Sequence, residues 1–265
     1  MIYLYPYIRF IQRIIWKLTR PNEKNCTEYI SKKFNTYPKV KSIDETIACL
    51  VNEQKSIARF GDGEFFLALY RSIGFQTKDR TLQNKLIEVL KNENENCIVG
   101  LPELRKDRLT FFWKQFWFEN LFFLNYLTNK NTTYYNQSIS REFNLEQITE
   151  FMKCWGNRNV VFITGKGSRF DTQHELFKNI KSAITLYSLP TNAWSDYDNL
   201  KTSVLAETKN IEKPLVICAL GPTATVLAYD LSQLGIQCFD IGHINNVYDK
   251  IKYGKATPEE LPMSK

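Results

Sequence analysis

The chain of 265 residues is poor in histidine, with two, and none of its six cysteines forms a CxxC pair. Cys26, Cys49, Cys97, Cys154, Cys218 and Cys238 are scattered, without metal-ligand spacing. That argues against a zinc site or a disulfide framework and suits a reducing cytoplasm. No repeat of fixed period and no low-complexity tract is present. No signal-peptide cleavage pattern appears, and basic residues break the one long apolar stretch before it could span a bilayer. Neither a Walker A loop nor a complete Rossmann fingerprint occurs.

What is present is an ordinary folded composition with an aromatic excess: 43% hydrophobic, 14% aromatic and 24% charged residues. The length suits one large domain or two small ones. Lys and Arg number 35 against 28 Asp and Glu, a formal charge of +7. Such an excess favours anionic partners, whether nucleotides, nucleic acid or lipid headgroups. Residues 1–24 read as a basic amphipathic helix. Arg9, Arg13, Lys17 and Arg20 recur along one face, and Phe10, Ile11, Ile14, Ile15 and Leu18 cover much of the rest. A helix of this kind can lie in an anionic membrane surface, or it can pack on its own domain or on a second subunit.

The remainder, residues 25–265, reads as α/β. A short helix over 46–55 leads into the strand "SIARF", and the aromatic segment "FFWKQFWFENLFFLNYL" reads as a largely buried helix. "NTTYYNQSIS" reads as a β-type run. From Asn159 onward, apolar strands "NVVFITG", "SAITLYSLP", "KPLVICALG" and "IQCFDIG" alternate with helical segments, "HELFKNI" among them. Alternation without hairpin turns predicts a mostly parallel, Rossmann-like sheet with helices on both faces. Ligands of such sheets bind at the carboxyl ends of the strands.

Every candidate cluster follows a strand. In "RFGDGE", Asp62 and Glu64 can place two hard oxygens on one divalent cation; equally, Asp62 can cap the next helix with Arg59 as counter-ion. In "ITGKGSRFD", Gly165 and Gly167 allow close backbone approach, and Lys166 and Ser168 offer donors to an anion. In "ALGPTATVLAYDL", Gly221, Pro222 and Thr223 form a strand-to-helix turn with free amides. In "LPTNAWSDYDNL", Asn192 and Trp194 can bond and stack against a base or sugar, and Asp196 can bind a hydroxyl. Trp194 can equally be core. His243, after the glycine that ends "FDIG", can act as a general base or serve structure alone, whereas His174 opens a polar helix and reads as solvated.

"RFGDGE", "LPTNAWSDYD" and "GPTATVLAYDLSQLGIQCFDIGHINN", in that order, resemble the GT-D glycosyltransferases, once catalogued as a domain of unknown function. The likeness runs over roughly residues 40–255 and is not visible in the N-terminal helix. It implies a Rossmann-like fold and transfer of a sugar from a nucleotide diphosphate donor, here expected to be UDP, onto a bacterial surface glycan such as a capsule or exopolysaccharide. The acceptor would be lipid-linked or protein-linked, and no nucleic-acid partner is expected. The resemblance implies that Asp62 and Glu64 hold Mn²⁺ or Mg²⁺ at the donor diphosphate. Donor contacts are then expected from Arg59, Gly61, Gly165, Lys166, Gly167, Ser168, Asn192, Trp194, Gly221, Pro222 and Thr223. His243 is the first candidate base and Asp196 the second. Peripheral attachment to the inner face of the cell membrane and a homo-oligomer are compatible with the same reading. Two rivals stay open: another phosphate-handling α/β enzyme, and a non-catalytic scaffold of a glycan assembly complex.

Overall fold

Seven parallel strands carry the fold in the order β3-β2-β1-β7-β6-β4-β5. They are β1 (Ser56–Arg59), β2 (Cys97–Leu101), β3 (Tyr135–Asn136), β4 (Asn159–Gly165), β5 (Ser182–Ser188), β6 (Leu215–Ala219) and β7 (Gln237–Asp240). The structure is a computed structural model that describes residues 4–19, 28, 30–32, 34–92, 94–105 and 110–256. Nine α-helices are seen among these residues: α1 (Tyr5–Thr19), α2 (Ile43–Asn52), α3 (Asp62–Ala68), α4 (Arg80–Lys91), α5 (Phe111–Leu127), α6 (Leu145–Phe151), α7 (Tyr197–Thr208), α8 (Pro222–Ser232) and α9 (Ile244–Tyr253).

Successive strand residues point to opposite faces, and the two faces bury separate cores. Ala58, Val99, Ile163, Val216 and Cys238 join one, with Leu86 of α4 and Leu227 of α8. Ile57, Ile98, Phe162, Ile217 and Phe239 join the other, with Leu50 of α2, Phe151 of α6 and Trp155. This two-sided burial explains why β4 and β6 read as apolar runs rather than as alternating ones. Every residue of α8 is buried, as befits a helix with apolar and small residues all round. Ser42 and Glu45 close a capping box on α2, and Asp79 caps α4 through the amides of Thr81 and Leu82.

Several local expectations change. "HELFKNI" forms only a 3-10 turn at Glu175–Phe177, and "NTTYYNQSIS" yields a two-residue strand followed by the 3-10 turn Gln137–Ser140. His174 is not solvated: its Nδ1 accepts from the Leu176 amide at 3.1 Å and its Nε2 lies 3.0 Å from Asp249 Oδ1. The aromatic helix α5 is not buried throughout, since Phe112, Phe122 and Tyr126 are exposed. The five cysteines within the described residues are free and buried, and Cys26 lies outside them.

The joint that positions the site lies between β1 and β7, where the chain's first and last strands pair through Ile57 and Phe239. At its carboxyl end the buried Arg59 guanidinium is shared out among protein partners. Nη2 donates to Asp240 Oδ1 at 3.1 Å, Nη1 to the Gln137 carbonyl at 3.1 Å and also to Ser140 Oγ, and Nε to the Asp240 carbonyl. Thr225 of α8 completes the knot, its hydroxyl 2.9 Å from the Arg59 carbonyl and 3.1 Å from Asp240 Oδ2. Arg59 is therefore an internal brace, not the counter-ion of Asp62 allowed for from the sequence. Removing one partner of a buried ion pair leaves the other uncompensated. Arg59→Met should accordingly lower the unfolding free energy in urea by about 3–5 kcal/mol, and a loss under 1 kcal/mol would show that the brace is dispensable.

Candidate active site

Sheet order brings the first and last sequence clusters together. Gly61, Asp62 and Glu64 follow β1, and Asp240, Gly242 and His243 follow or end β7, its hydrogen-bonded neighbour. This is where strand connections turn to opposite sides of the sheet, the place where open α/β folds leave a crevice. Asp62 is the first residue of α3. Glu64, half-buried, turns back so that its Oε2 accepts the Gly61 amide at 2.8 Å. A Cβ on Gly61 would stand 3.2 Å from that same oxygen, so the glycine gives the carboxylate room to close the turn.

Burial pushes the Glu64 carboxyl up to about 7; the negative charge of Asp240 adds to the shift, the Gly61 amide opposes it, and Asp62 contributes last. Glu64 thus feels the negative charges of Asp240 and Asp62, while the Arg59 guanidinium is committed to Asp240. A site so short of positive charge is stabilised by a cation. Among the described residues, no group of three or more His, Cys, Asp or Glu is set to hold a metal by itself. The donor set fits Mg²⁺ or Mn²⁺ of the kind that takes one or two carboxylates from protein and its other ligands from water and phosphate.

His243 is exposed and stands at the start of α9 with φ 70°, in the left-handed region. A non-glycine residue held there is a mark of constraint that clusters at functional positions. Asp196, the other candidate base, lies eight residues beyond the end of β5, a strand that is not a neighbour of β1. Its Oδ1 accepts from Asn199 at 2.7 Å. The strand order brings His243, not Asp196, beside the acidic pair.

The remaining clusters line the strand ends from β6 to β5. Gly165 closes β4 against the backbone of Leu189 and Pro190, at 3.4 and 3.5 Å from where a Cβ would lie. Lys166, Gly167 and Ser168 form the exposed turn that follows, with Gly167 at φ 75°. Asn192 and Trp194 work within the fold. Asn192 Oδ1 accepts the Thr77 amide at 2.7 Å and its own amide donates to the Phe75 carbonyl at 2.8 Å. Trp194 Nε1 lies 3.1 Å from Asp79 Oδ1 and 2.9 Å from Thr81 Oγ1, and its ring stacks on Tyr197 at 4.4 Å. Together they hold segment 72–81 across the β5 and β6 ends.

That segment was not singled out from the sequence, and nothing in "SIGFQTKD" marks it. Its Phe75 ring lies against Gly221, where a Cβ would approach Phe75 Cε2 to 2.8 Å. Gly221 itself has φ 55° and ψ −136°, open to glycine but costly for other residues. Pro222 begins α8, and the buried Thr223 leaves its hydroxyl oxygen without a partner. Gly221→Ala should cost about 1–3 kcal/mol from the backbone alone and displace Phe75. Thermal unfolding and the proteolytic susceptibility of segment 72–81 report both, and an unchanged variant would mean that the turn relaxes freely.

Residues 57–264 match the family described as glycosyltransferase, GT-D fold. The chain is 30% identical over 233 residues to Glycosyltransferase GlyD of Streptococcus pneumoniae serotype 4; the match covers 82% of this chain and 28% of that protein. A solved structure described as a new glycosyltransferase from Streptococcus sanguinis superposes with a TM-score of 0.74 at 28% identity, covering 84% of this chain and 91% of the other. A second, described as a domain of unknown function with a distinct glycosyltransferase fold, gives 0.80 at 27% identity and covers 88% of each chain.

Proposed function

Since the chain belongs to the GT-D glycosyltransferase family, we propose that it transfers a sugar from a UDP-sugar to a hydroxyl of a bacterial surface glycan. The observation that carries this is the β1–β7 pairing, which sets the Asp62–Glu64 turn beside His243. Asp62 and Glu64 are the residues that would hold Mn²⁺ or Mg²⁺. When bound, such a cation supplies Lewis-acid stabilisation of charge on the leaving diphosphate. The turns at Gly61, Gly165–Ser168 and Gly221–Thr223 orient the donor, their glycines letting phosphate approach the backbone. His243 accepts the proton of the acceptor hydroxyl as it attacks the anomeric carbon, with Asp196 the second candidate for that role.

Asp62→Asn and Glu64→Gln should each weaken Mn²⁺ binding, read by electron paramagnetic resonance titration, and abolish UDP-sugar turnover with the fold intact. His243→Ala should keep donor binding and lose about two to four orders of magnitude in turnover. Unchanged Mn²⁺ affinity in both carboxylate variants would remove the metal role, and full turnover at saturation in the histidine variant would remove the base.

Attachment to an anionic membrane is the second element of the proposal, supported by the way α1 is mounted. The helix turns Tyr5, Arg9 and Trp16 toward α5: Tyr5 Oη donates to Asn120 Oδ1 at 2.7 Å, Arg9 pairs with Glu119 at 3.1 Å, and Trp16 packs on Phe118. Its bulky apolar face points outward, with Tyr7 70%, Phe10 65% and Leu18 80% exposed. Helix α1 has no acidic residue; Arg13, half-exposed, pairs with Glu119 at 3.8 Å, while Lys17 is exposed. Among the described residues no helix is long and apolar enough to cross a membrane, so the contact would be peripheral. Each basic residue near an anionic surface contributes on the order of 1 kcal/mol, less at high salt. The full chain should bind phosphatidylserine-containing liposomes in a salt-sensitive way, and deletion of residues 1–20 should abolish this while UDP-sugar hydrolysis persists. Absence of liposome binding together with dissociation of an oligomer on deletion would identify the face as a subunit contact.

A further inference from the structure

Strand β5 ends the sheet, and it pairs with β4 alone, through every residue from Ser182 to Ser188. The Lys166 amide donates to the Ser188 carbonyl at 3.0 Å, so the backbone groups of Ser188 face β4. Parallel pairing repeats at every second residue. Leu186, Ile184 and Ser182 therefore face β4 as well, while the N–H and C=O groups of Ala183, Thr185 and Tyr187 point away from the sheet. Among the described residues no backbone hydrogen bond from a turn or loop reaches those three.

A free edge is a template for another strand, and natural edge strands are blunted by shortness, charge, proline or a bulge. The opposite edge obeys this rule, since β3 has only two residues. Strand β5 does not. It has seven residues, with no charge and no proline among them, and its unbroken register with β4 leaves no room for a bulge. Its cover is thin as well. The connection from β4 supplies only the 3-10 turn Glu175–Phe177 where a crossover helix would lie. Ala183, Ile184, Tyr187 and the following Leu189 are exposed.

The strand is also its own complement. Two copies laid antiparallel about a two-fold axis at Thr185 set Thr185 opposite Thr185 and Ala183 opposite Tyr187. These are the residues whose backbone groups face outward, so each pair exchanges both of its hydrogen bonds. On one face the small Ala183 makes room for Tyr187 of the second copy. On the other, Ile184 meets Leu186, and Ser182 meets Ser188. Lys181 falls opposite Leu189 rather than its own copy, so no like charges are brought together. Moving the axis to Ile184 or Leu186 keeps the bonding pattern but leaves Tyr187 or Ala183 without a partner in the strand. The axis at Thr185 is the one that uses the whole edge.

We infer that β5 is a dimerisation edge, to which a second copy of this chain adds its own β5 to make one continuous sheet. The contact is isologous, the same surface serving both subunits. It is also small, with seven strand residues a side against about 20–30 in a standard interface. The dimer is accordingly reversible and forms in the micromolar range rather than as an obligate assembly. Across the axis the strand carboxyl ends face opposite ways, and β4, β6 and β7 separate the edge from β1. The two acidic turns therefore stay clear of the contact.

Sedimentation velocity on the full chain over a rising concentration series should show a reversible monomer–dimer equilibrium. Thr185→Lys sets like charges against each other on the axis and should weaken association about tenfold or more, with circular dichroism and melting unchanged. Cross-linking keeps the test sound should that variant melt early. Thr185→Cys would bring two Cα atoms to about 5.5 Å across a bonded pair, within disulfide range, and should cross-link on mild oxidation. Ser182→Cys, which faces Ser188 of the second copy, should not. A monomer at every concentration, a dimer that a folded Thr185→Lys variant leaves intact, or equal cross-linking of the two cysteine variants would each overturn the assignment. Dimers lost on deletion of residues 1–20 but kept in Thr185→Lys would move the contact to α1.

Discussion

The Arg59–Asp240 pair is the constraint on which the catalytic end depends. Alone, a buried ion pair is a weak source of stability, because desolvation of both charges offsets their attraction. Its value here is geometric. One guanidinium fixes β1 to β7, to the turn after β3 and, through Asp240 and Thr225, to α8. Four segments distant in sequence meet at one planar group whose donors have fixed directions. The turn that carries Asp62 and Glu64 starts two residues later and inherits that rigidity.

This arrangement also divides the mouth of the sheet by chemistry. Toward β6, β4 and β5 lie glycine turns, free amides and Lys166, which suit an anion. The acidic turn, Gly61 to Glu64, sits at the boundary between these turns and the ends of β2 and β3. Phe75 packs against Gly221, and segment 72–81 is held down by Asn192 and Trp194.

Much of this was legible in the sequence. Unbroken apolar runs from Asn159 announced a two-sided parallel sheet, and "RFGDGE" stood out because carboxylates do not settle between core elements without a partner. Strand order was not legible. Alternating strands and helices do not say that β7 inserts beside β1, and it is that insertion which promotes His243 over Asp196 and makes Asp240 the electrostatic neighbour of Glu64. Arg59 read as the counter-ion of Asp62, but its side-chain partners in the structure lie 78 to 181 residues away. Phe75 left no trace at all, since its packing on Gly221 depends on no local pattern.

The same insertion has a kinetic consequence. Ile57 and Phe239 pair across 182 residues of chain, and closing so large a loop is entropically slow. Other pairs can assemble earlier, β1 with β2 and β4 with β5, but the joint waits for the last strand. During synthesis the amino-terminal half therefore leaves the ribosome with β1 unpaired on one side. Competence arrives in a single late event, and a chain cut short before residue 240 lacks the acid that holds Arg59 and flanks Glu64, however well its other strands have formed.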